Sequence, residues 1–424
     1  MSQIANFKER FEKIGSLRTK LLKIAKKHGT PLYIYDSEEA KKNVRSFKKA
    51  FEKQGINIKI FFATKSNCYP GLLRTIVKEG ENLDVSSQRE LKLAIKAGTK
   101  QIIYTGPAKT KKDFELILKY HSKITVNLES LRELELLAKM AKAKKRIVRC
   151  GLRVHTKMQA GWTKFGLPLE KLKDFFNKSK KYQSIKFCGI HFHVSFNETP
   201  EKYIKTLKEL SKYLKNNFST EERQQFEYID IGGGFYPNPF EGVYTWNPKQ
   251  ETTIPDYKEL LKSIMADKFK PRFCPIKSDN IDKFAKQIAL VFNNEILPIL
   301  PNASLYAEPG RFISHSTMHF LLTLVEIKSD NMGITDGGTN MVGWEKHQFF
   351  NYVPIINLDQ FDSKKEIPFI TNGSLCTPDD IWGYYIYTKG KPKSEDIILL
   401  PYQGAYTYTL AQNFIKEIPK VHDL

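Results

Sequence analysis

Short β-rich runs alternate with helical patterns along the first three quarters of the chain. The first run, Ile58–Ala63, reads IKIFFA, and Gln88–Ala97 carries Leu91, Ala94 and Ile95 at helical spacing. The other β-rich runs are Leu83–Ser86, Ile102–Tyr104, Ile124–Asn127, Ile147–Val154, Phe187–Val194, Tyr228–Ile231 and Leu305–Ala307. The other helical stretches are Gly71–Glu79, Lys111–His121, Leu131–Lys144, Glu201–Asn216 and Asp282–Leu297. Eight such alternating units predict an α/β fold, a TIM-like (β/α)₈ barrel.

The pattern changes near the end of the eighth unit. After Arg311 the helical rhythm gives way to short β-like runs, turns and prolines. We therefore predict a barrel over residues 31–310 and a mostly-β domain formed by residues 1–30 and 311–424. Residues 236–280 are long for one connection and rich in Pro and aromatic residues, which is typical of a lid or an insertion.

Composition places the chain among ordinary globular proteins. Of its 424 residues, 41% are hydrophobic and 27% are charged, which excludes disorder and a collagenous repeat. No apolar run approaches the ~18 residues of a membrane helix, and we predict no secretory signal at the start. The five cysteines are scattered without a C-x-x-C, so we expect no disulfide framework, no zinc or other metal site, and a reducing, cytoplasmic location.

The net charge of +22 raises the question of nucleic acid. The lysines are spread over the whole chain, apart from short runs such as Lys142–Arg146, and no basic stretch is interleaved with stacking aromatics. We therefore predict no nucleic-acid partner and no membrane. An anionic small ligand fits the charge better.

Polar residues follow the ends of several predicted strands. In a barrel these ends meet on one face, where active groups lie. The residues expected there are Lys65, Asp84, Ser86, His191, His193, Ser195, Gly232, Gly233, Gly234, Glu308, Gly310 and Arg311. Each alone has an ordinary structural explanation, such as a solvated lysine, a tight turn, a core histidine or a plain ion pair. Their convergence on one face favours a shared site.

This set of residue types has a chemical logic. A lysine shielded from water can form a Schiff base, and a glycine run with an arginine can bind a phosphate. A carboxylate can keep a pyridine nitrogen protonated, and a histidine can stack on the ring. Together these properties predict a pyridoxal-phosphate site.

The motifs that carry these residues resemble those of the fold-type III pyridoxal-phosphate decarboxylases, which have an alanine-racemase-like barrel and act on diaminopimelate, ornithine and related amino acids. The resemblance covers roughly residues 30–415. The matching motifs are ATKSN (63–67), DVSSQREL (84–91), KFG (164–166), HFHVS (191–195), DIGGGF (230–235), EPGRF (308–312), DGG (336–338), CTPDD (376–380) and GAYTY (404–408).

The resemblance implies a role for each matching position. Lys65 would bond the cofactor covalently, His193 would stack on its ring, and Glu308 would pair with the ring nitrogen. The residues expected to complete the cofactor site are Asp84, Ser195, Gly233, Gly234, Gly310, Arg311 and Tyr406. The substrate would meet Asp336, Cys376, Thr377 and Asp380. Family members form head-to-tail homodimers, so Cys376 and Asp380 would come from the partner subunit, with Cys376 protonating the product carbanion.

Two positions depart from the family pattern. The family usually reads HVGS or HIGS, whereas here the run is His193–Val194–Ser195–Phe196, so Ser195 would meet the phosphate from a shifted position. The ornithine and diaminopimelate enzymes carry an acid after the catalytic cysteine, where this chain has Thr377. A buried ammonium without a counter-charge is costly, which argues against a free distal amine, although Asp336 remains a potential partner.

Over HFHVSFNE (191–198) and DGGTNMVGWE (336–345) the chain most resembles decarboxylases of citrate-based siderophore biosynthesis. This resemblance implies an N-citryl diamino acid as substrate, such as citryl-ornithine or citryl-diaminopropionate. Candidate contacts for the citryl carboxylates are Arg153, Lys346 and His347. The alternative enzyme is a decarboxylase of free diaminopimelate, ornithine, lysine or arginine. A racemase would lack the cysteine motif, and a catalytically inactive regulator would have lost Lys65 or the phosphate ligands.

Overall fold

The computed structural model describes residues 8–159, 164–195, 197–237, 242–245, 272–275, 278–343, 353–361 and 366–424. For residues 8–11, 242–245, 272–275 and 366 it describes the backbone alone. The chain divides into two compact units. One comprises Glu38–Asn238 and Ser278–Ser314, and the other comprises Met1–Ser37, Pro239–Lys277 and His315–Leu424.

The first unit is a closed barrel of parallel strands, which confirms the predicted fold class. In order around the barrel, the strands are β2 (Lys59–Ala63), β3 (Asn82–Val85), β4 (Ile102–Thr105), β5 (Ile124–Leu128), β6 (Val148–His155), β8 (Ile185–His191), β9 (Tyr228–Asp230) and β12 (Ser304–Ala307). β12 pairs with β2 and β5 pairs with β6, and these pairings close the ring. The short strand β7 (Leu167–Pro168) lies against β6.

Helices connect these strands as in a (β/α)₈ fold. They are α2 (Ser37–Glu52), α3 (Pro70–Lys78), α4 (Gln88–Ala97), α5 (Lys111–Lys119), α6 (Leu131–Ala143), α7 (Leu172–Ser179), α8 (Glu201–Asn217), α9 (Thr220–Arg223), α10 (Ile281–Val291) and α11 (Gly310–Ser314). The sequence defines α4 clearly. The Ser87 side chain caps its first turn, Leu91 and Ala94 are buried, and Gly98 ends it at a φ of +81°.

Two predicted elements end earlier than the sequence pattern suggested. The strand predicted to reach Val194 stops at His191, and beyond it the Val194 carbonyl accepts a hydrogen bond from the Asn197 side chain at 2.9 Å. The helix predicted to reach Leu297 is α-helical only to Val291, and residues 292–296 continue as one π-helical turn. Helix α2 was not among the predicted elements, although its inner face is buried.

The second unit is built around an eight-stranded sheet. The order of its strands is β14 (Met332–Thr335), β16 (Glu366–Asn372), β17 (Ile381–Tyr387), β15 (Ile356–Asn357), β18 (Ile397–Leu400), β13 (Met318–Ser329), β1 (Leu32–Tyr35) and β19 (Val421–Asp423). The N-terminal helix α1 (Lys8–His28) packs Leu21 and Ile24 into the same apolar cluster as Leu321 and Ile356. The short strands β10 (Gly242–Thr245) and β11 (Arg272–Pro275) pair as an antiparallel ribbon. Most of the predicted 236–280 insertion lies outside the described residues.

None of the helices in the described ranges is long and apolar enough to cross a membrane.

Candidate active site

Lys65 lies at the C-terminal end of the first barrel strand. It belongs to the 3₁₀ turn Thr64–Ser66 directly after β2, and its ammonium is 3.2 Å from Asp84 Oδ2. Asp84 is fully buried, whereas about a third of the Lys65 side chain (37%) is accessible. Burial, reinforced by the charge of Glu308, raises the pKa of Asp84 to about 8 despite the nearby Lys65. The accessible end of Lys65 can therefore meet a ligand.

The His193 ring is held by contacts on both of its nitrogens. The Gly233 N–H donates to Nδ1 at 3.1 Å, and Nε2 lies 3.1 Å from Ser195 Oγ. Burial lowers the pKa of His193 to about 4, so the ring is neutral at neutral pH. Because Nδ1 accepts a hydrogen bond, the ring proton sits on Nε2 and points to Ser195. Ser195 thus fixes the ring that is expected to stack on the cofactor.

Glu308, directly after β12, is the buried carboxylate of this end of the barrel. Its Oε1 lies 3.3 Å from His191 Nε2, and its Oε2 lies 3.8 Å from His193 Nδ1. Burial alone would raise the pKa of Glu308, but the two histidines and the Lys65 charge hold it well below its usual range. Burial also lowers the pKa of His191. Glu308 is therefore the ionised carboxylate of this cluster.

The glycine run after β9 packs closely against the histidine strand. Gly232 and Gly234 adopt φ values of +69° and +95°, and a Cβ on Gly234 would lie 2.0 Å from the Val194 carbonyl oxygen. Only glycine meets both demands. Gly310 is equally constrained, since a Cβ there would lie 2.9 Å from the Ser66 Cβ. These glycines bring backbone from three strand ends together.

Arg311 lies in the short helix α11, on the same strand end as Glu308. Its guanidinium carbon is 6.0 Å from the ring centroid of Tyr236.

Arg153, a candidate contact for citryl carboxylates, is buried and ion-paired with Glu129 at 3.3 Å. The charge of Arg153 is thus balanced by Glu129 within the barrel.

Sequence reasoning assigned no function to Asp230, the buried residue that ends β9. Its Oδ1 accepts the Gly232 N–H at 2.9 Å, and this bond shapes the glycine turn. Burial and the charge of Glu308 raise the pKa of Asp230 well above its usual range. An Asp two residues before a glycine turn was the available signal. His191 was expected on this face, but no role was predicted for it.

The remaining predicted residues belong to the sheet unit. Cys376 is exposed and has a free thiol, and Thr377 is half-buried. Tyr406 is half-buried and adopts a φ of +56°, an uncommon conformation that is often found at functional sites. Asp336 and Asp380 are held by hydrogen bonds within this unit. Lys346 and His347 lie outside the described residues.

The barrel cluster fits pyridoxal phosphate. Glu308 Oε2 and Asp84 Oδ1 are buried and lack a hydrogen-bond partner among the described atoms, so each can accept from a ligand. The neutral His193 ring can stack, and Lys65 can form the covalent link. The ligand atoms of His191, His193 and Glu308 also lie within 4.8 Å of one another, as a metal would require. However, the Gly233 N–H occupies the His193 Nδ1 lone pair, which favours a ring-shaped ligand.

Comparisons with known proteins agree with this chemistry. The family described as "Pyridoxal-dependent decarboxylase, pyridoxal binding domain" matches residues 38–272. A diaminopimelate decarboxylase of Staphylococcus aureus is 26% identical, over 92% of this chain and 87% of the relative.

Two solved structures share the fold. Diaminopimelate decarboxylase of Methanocaldococcus jannaschii, in complex with L-lysine, has a TM-score of 0.75 at 22% identity, over 95% of this chain and 89% of that chain. Lysine/ornithine decarboxylase of Vibrio vulnificus, complexed with putrescine, has a TM-score of 0.73 at 21% identity, over 96% and 98% of the two chains. Because the family match spans more than half of the sequence, this chain belongs to the pyridoxal-dependent decarboxylases and is a pyridoxal-phosphate-dependent amino-acid carboxy-lyase.

Proposed function

We propose that this decarboxylase acts on an amino acid whose distal amine is acylated, with citryl-ornithine or citryl-diaminopropionate as the leading candidates and siderophore biosynthesis as the setting. One observation carries the proposal: the carboxylates expected to meet the substrate are already used by their own unit, and the residue after Cys376 is the neutral Thr377. A free distal ammonium would lack a partner among these residues, and such burial is costly.

Asp336 is the first of these carboxylates. Thr30 Oγ1 donates to its Oδ2 at 2.5 Å, and the Thr323 N–H donates to its Oδ1 at 3.0 Å. Burial raises the pKa of Asp336, because desolvation outweighs these hydrogen bonds. A carboxyl group that is held in this way is a poor counter-charge for a substrate amine.

Asp380 is the second, and it holds the loop that carries Cys376. Its Oδ1 accepts the Thr339 N–H at 2.7 Å, and its Oδ2 accepts the Leu375 N–H at 2.6 Å. The residue is only 2% exposed. We assign Asp380 to loop geometry, so that it acts on the substrate through the placement of Cys376 and Thr377.

An acylated substrate carrying citryl carboxylates is strongly anionic, in keeping with a net charge of +22 that would steer it toward the enzyme. With Arg153 paired inside the barrel, Lys346 and His347 remain the candidate contacts. Lys346→Ala should raise KM for the citrylated substrate and leave kcat nearly unchanged. An unchanged KM would remove this lysine from the site.

The described residues suggest a division of labour. Lys65 would carry the cofactor and later release the product, with Glu308 beside the ring nitrogen and His193 against the ring face. Gly233, Gly234, Gly310 and Arg311 would hold the phosphate, assisted by Tyr406. When bound, pyridoxal phosphate supplies the electron sink for the pair left behind as the bond to CO₂ breaks. The Cys376 thiol would then deliver a proton to the former α-carbon.

We further propose a homodimer with shared sites, in which Cys376 and Asp380 serve the barrel of the other copy. Mixing Lys65→Ala and Cys376→Ala subunits tests this arrangement. Random mixing should restore about a quarter of wild-type activity, since half of the dimers would contain one intact site. If Cys376 serves its own barrel, no mixed site is intact and activity stays near zero.

The second candidate is a free diamino-acid decarboxylase. It is favoured by the exposed Asp379, a carboxylate of the Cys376 loop that could meet a distal ammonium. The S. aureus relative is a diaminopimelate decarboxylase, which is compatible with this alternative.

CO₂ release by the holoenzyme separates the two candidates. Free ornithine, lysine and diaminopimelate would be compared with N-citryl-ornithine and N-citryl-diaminopropionate. Turnover confined to the citrylated substrates supports the proposal, and Thr377→Glu should then lower it by charge repulsion. Efficient turnover of a free diamino acid that is lost in Asp379→Asn would establish the alternative instead.

A further inference from the structure

The barrel interior below Glu308 is polar. Thr105, Asn127 and Tyr228 are 3%, 0% and 0% exposed, and all lie on barrel strands. The interior of such barrels is usually filled by branched apolar side chains. Buried polar groups are costly unless they are hydrogen-bonded, so this set calls for a physical explanation.

The three side chains form one hydrogen-bonded chain that ends on Glu308. Tyr228 Oη donates to Asn127 Oδ1 at 2.7 Å, and Asn127 Nδ2 donates to Thr105 Oγ1 at 3.0 Å. Thr105 Oγ1 in turn donates to Glu308 Oε1 at 3.5 Å. Because the amide oxygen can only accept and the amide nitrogen can only donate, every proton points toward the carboxylate.

The backbone of the barrel makes room for this chain. Across successive strands, Thr105 is in register with Asn127, Asn127 with Gly151, Gly151 with Gly189, and Gly189 with Tyr228. A Cβ on Gly151 would lie 2.2 Å from the Tyr228 hydroxyl, and one on Gly189 would lie 2.1 Å from its ring. The absence of side chains at Gly151 and Gly189 therefore leaves the space in which Tyr228 reaches Asn127.

We propose that Tyr228, Asn127 and Thr105 are positioning residues that keep Glu308 ionised and leave its second oxygen for the cofactor. A hydrogen bond to the charged form of a carboxyl group favours that form. With Oε1 occupied by Thr105, the buried Oε2, which has no hydrogen-bond partner in the described part of the chain, is the oxygen available to the ring nitrogen.

The test uses holoenzymes that each lack one hydroxyl. Tyr228→Phe keeps the aromatic ring and Thr105→Val keeps the β-branched shape. Each removes one hydroxyl and so interrupts the hydrogen-bonded chain at a different point. We titrate the absorption of the bound cofactor against pH and measure kcat and KM. The acid-side midpoint should move toward neutral by about one pH unit, and kcat should fall about tenfold with KM little changed. The double variant should be no worse than the more affected single variant, because either change already breaks the chain.

Two matched variants control for packing. The Tyr306 ring stacks on the Tyr228 ring, with centroids 4.8 Å apart and an interplanar angle of 4°. Tyr306→Phe removes a hydroxyl from this ring without interrupting the hydrogen-bonded chain, and it should titrate like the wild type. Thr105→Ser keeps the hydroxyl and should restore the midpoint. If Tyr228→Phe binds cofactor and titrates like Tyr306→Phe, the chain is a packing feature only and the proposal is overturned. Tyr228→Phe decides the question even if Thr105→Val does not fold. The absorption readout needs no substrate, so it is independent of the proposed function.

Discussion

The two groups of candidate residues differ in how far their own unit arranges them. In the barrel unit, Glu308 is buried, His193 is half-buried with both ring nitrogens in contact, and Lys65 already pairs with Asp84. In the sheet unit, Cys376 is exposed, and the buried Asp380 serves its own loop. Cofactor chemistry thus rests on a preorganised cluster, whereas Cys376 is exposed and the carboxylates expected to meet the substrate are held by their own unit. This contrast is what the proposed sharing of sites between two copies would explain.

Lys65→Ala is the most severe way to test the barrel cluster. Without its amine, the covalent link to the cofactor cannot form, so activity should fall by more than about 10³-fold and the near-visible absorption of the lysine-bound cofactor should vanish. Lys59→Ala, at the opposite end of the same strand, is the matched control and should retain both. A retained absorption band in Lys65→Ala would show that another amine holds the cofactor.

Cys376→Ala tests the open group. We expect turnover to fall by about 10- to 100-fold, because general-acid catalysis is lost, with part of the product diverted to transamination. Product analysis alongside CO₂ release measures both effects. Cofactor absorption should stay unchanged, which separates this residue from the barrel cluster. A normal rate with clean product would assign the protonation to a different acid.

His193→Phe tests the buried imidazole through stability. The pKa of His193 is about 4 in the native apoenzyme and 6.5 in the unfolded chain. Between these two pH values the unfolded chain binds a proton that the native apoenzyme does not bind. The stability contribution is therefore full above pH 6.5 and is lost as pH falls toward 4, by at most about 3 kcal/mol. Urea unfolding between pH 4 and 7 should show a flatter dependence in the variant. Equal slopes would mean that the ring is protonated in the folded protein.

The smallest expected effect comes from comparing Asp380→Asn with Asp379→Asn, two variants of adjacent residues in the Cys376 loop. Asp380 accepts two backbone N–H groups, so its loss of charge should cost about 1–2 kcal/mol of unfolding free energy. The exposed Asp379 should change stability by less than about 0.5 kcal/mol. Thermal melts of the two variants give the comparison. Equal melting temperatures would return Asp380 to the group of direct substrate contacts.

Much of the barrel could be predicted from the sequence, because a strand buried on both faces appears as a short local run of apolar residues. Gln88–Ala97 was predicted with the bounds it has in the structure, since Ser87 and Gly98 mark its two ends. Elements whose ends depend on distant groups were misjudged. The strand that contains Phe187 stops at His191, and the contact that follows it, from the Asn197 side chain to the Val194 carbonyl, is not marked by any local sequence pattern.

The order of residues along the chain is sufficient to identify the residue types of the site and the strand ends on which they lie. Lys65, His193, Glu308 and the glycine run could all be named from strand periodicity and chemistry, because barrel strands deliver their final residues to one face. The protonation and pairing of these residues depend instead on how the chain packs in three dimensions. Burial favours the neutral imidazoles, neighbouring His191, His193 and Lys65 favour the ionised form of Glu308, and hydrogen bonds hold Asp336 and Asp380 within their own unit. Packing also joins Tyr228, Asn127 and Thr105, since desolvation and hydrogen bonding depend on neighbours that are far apart in sequence.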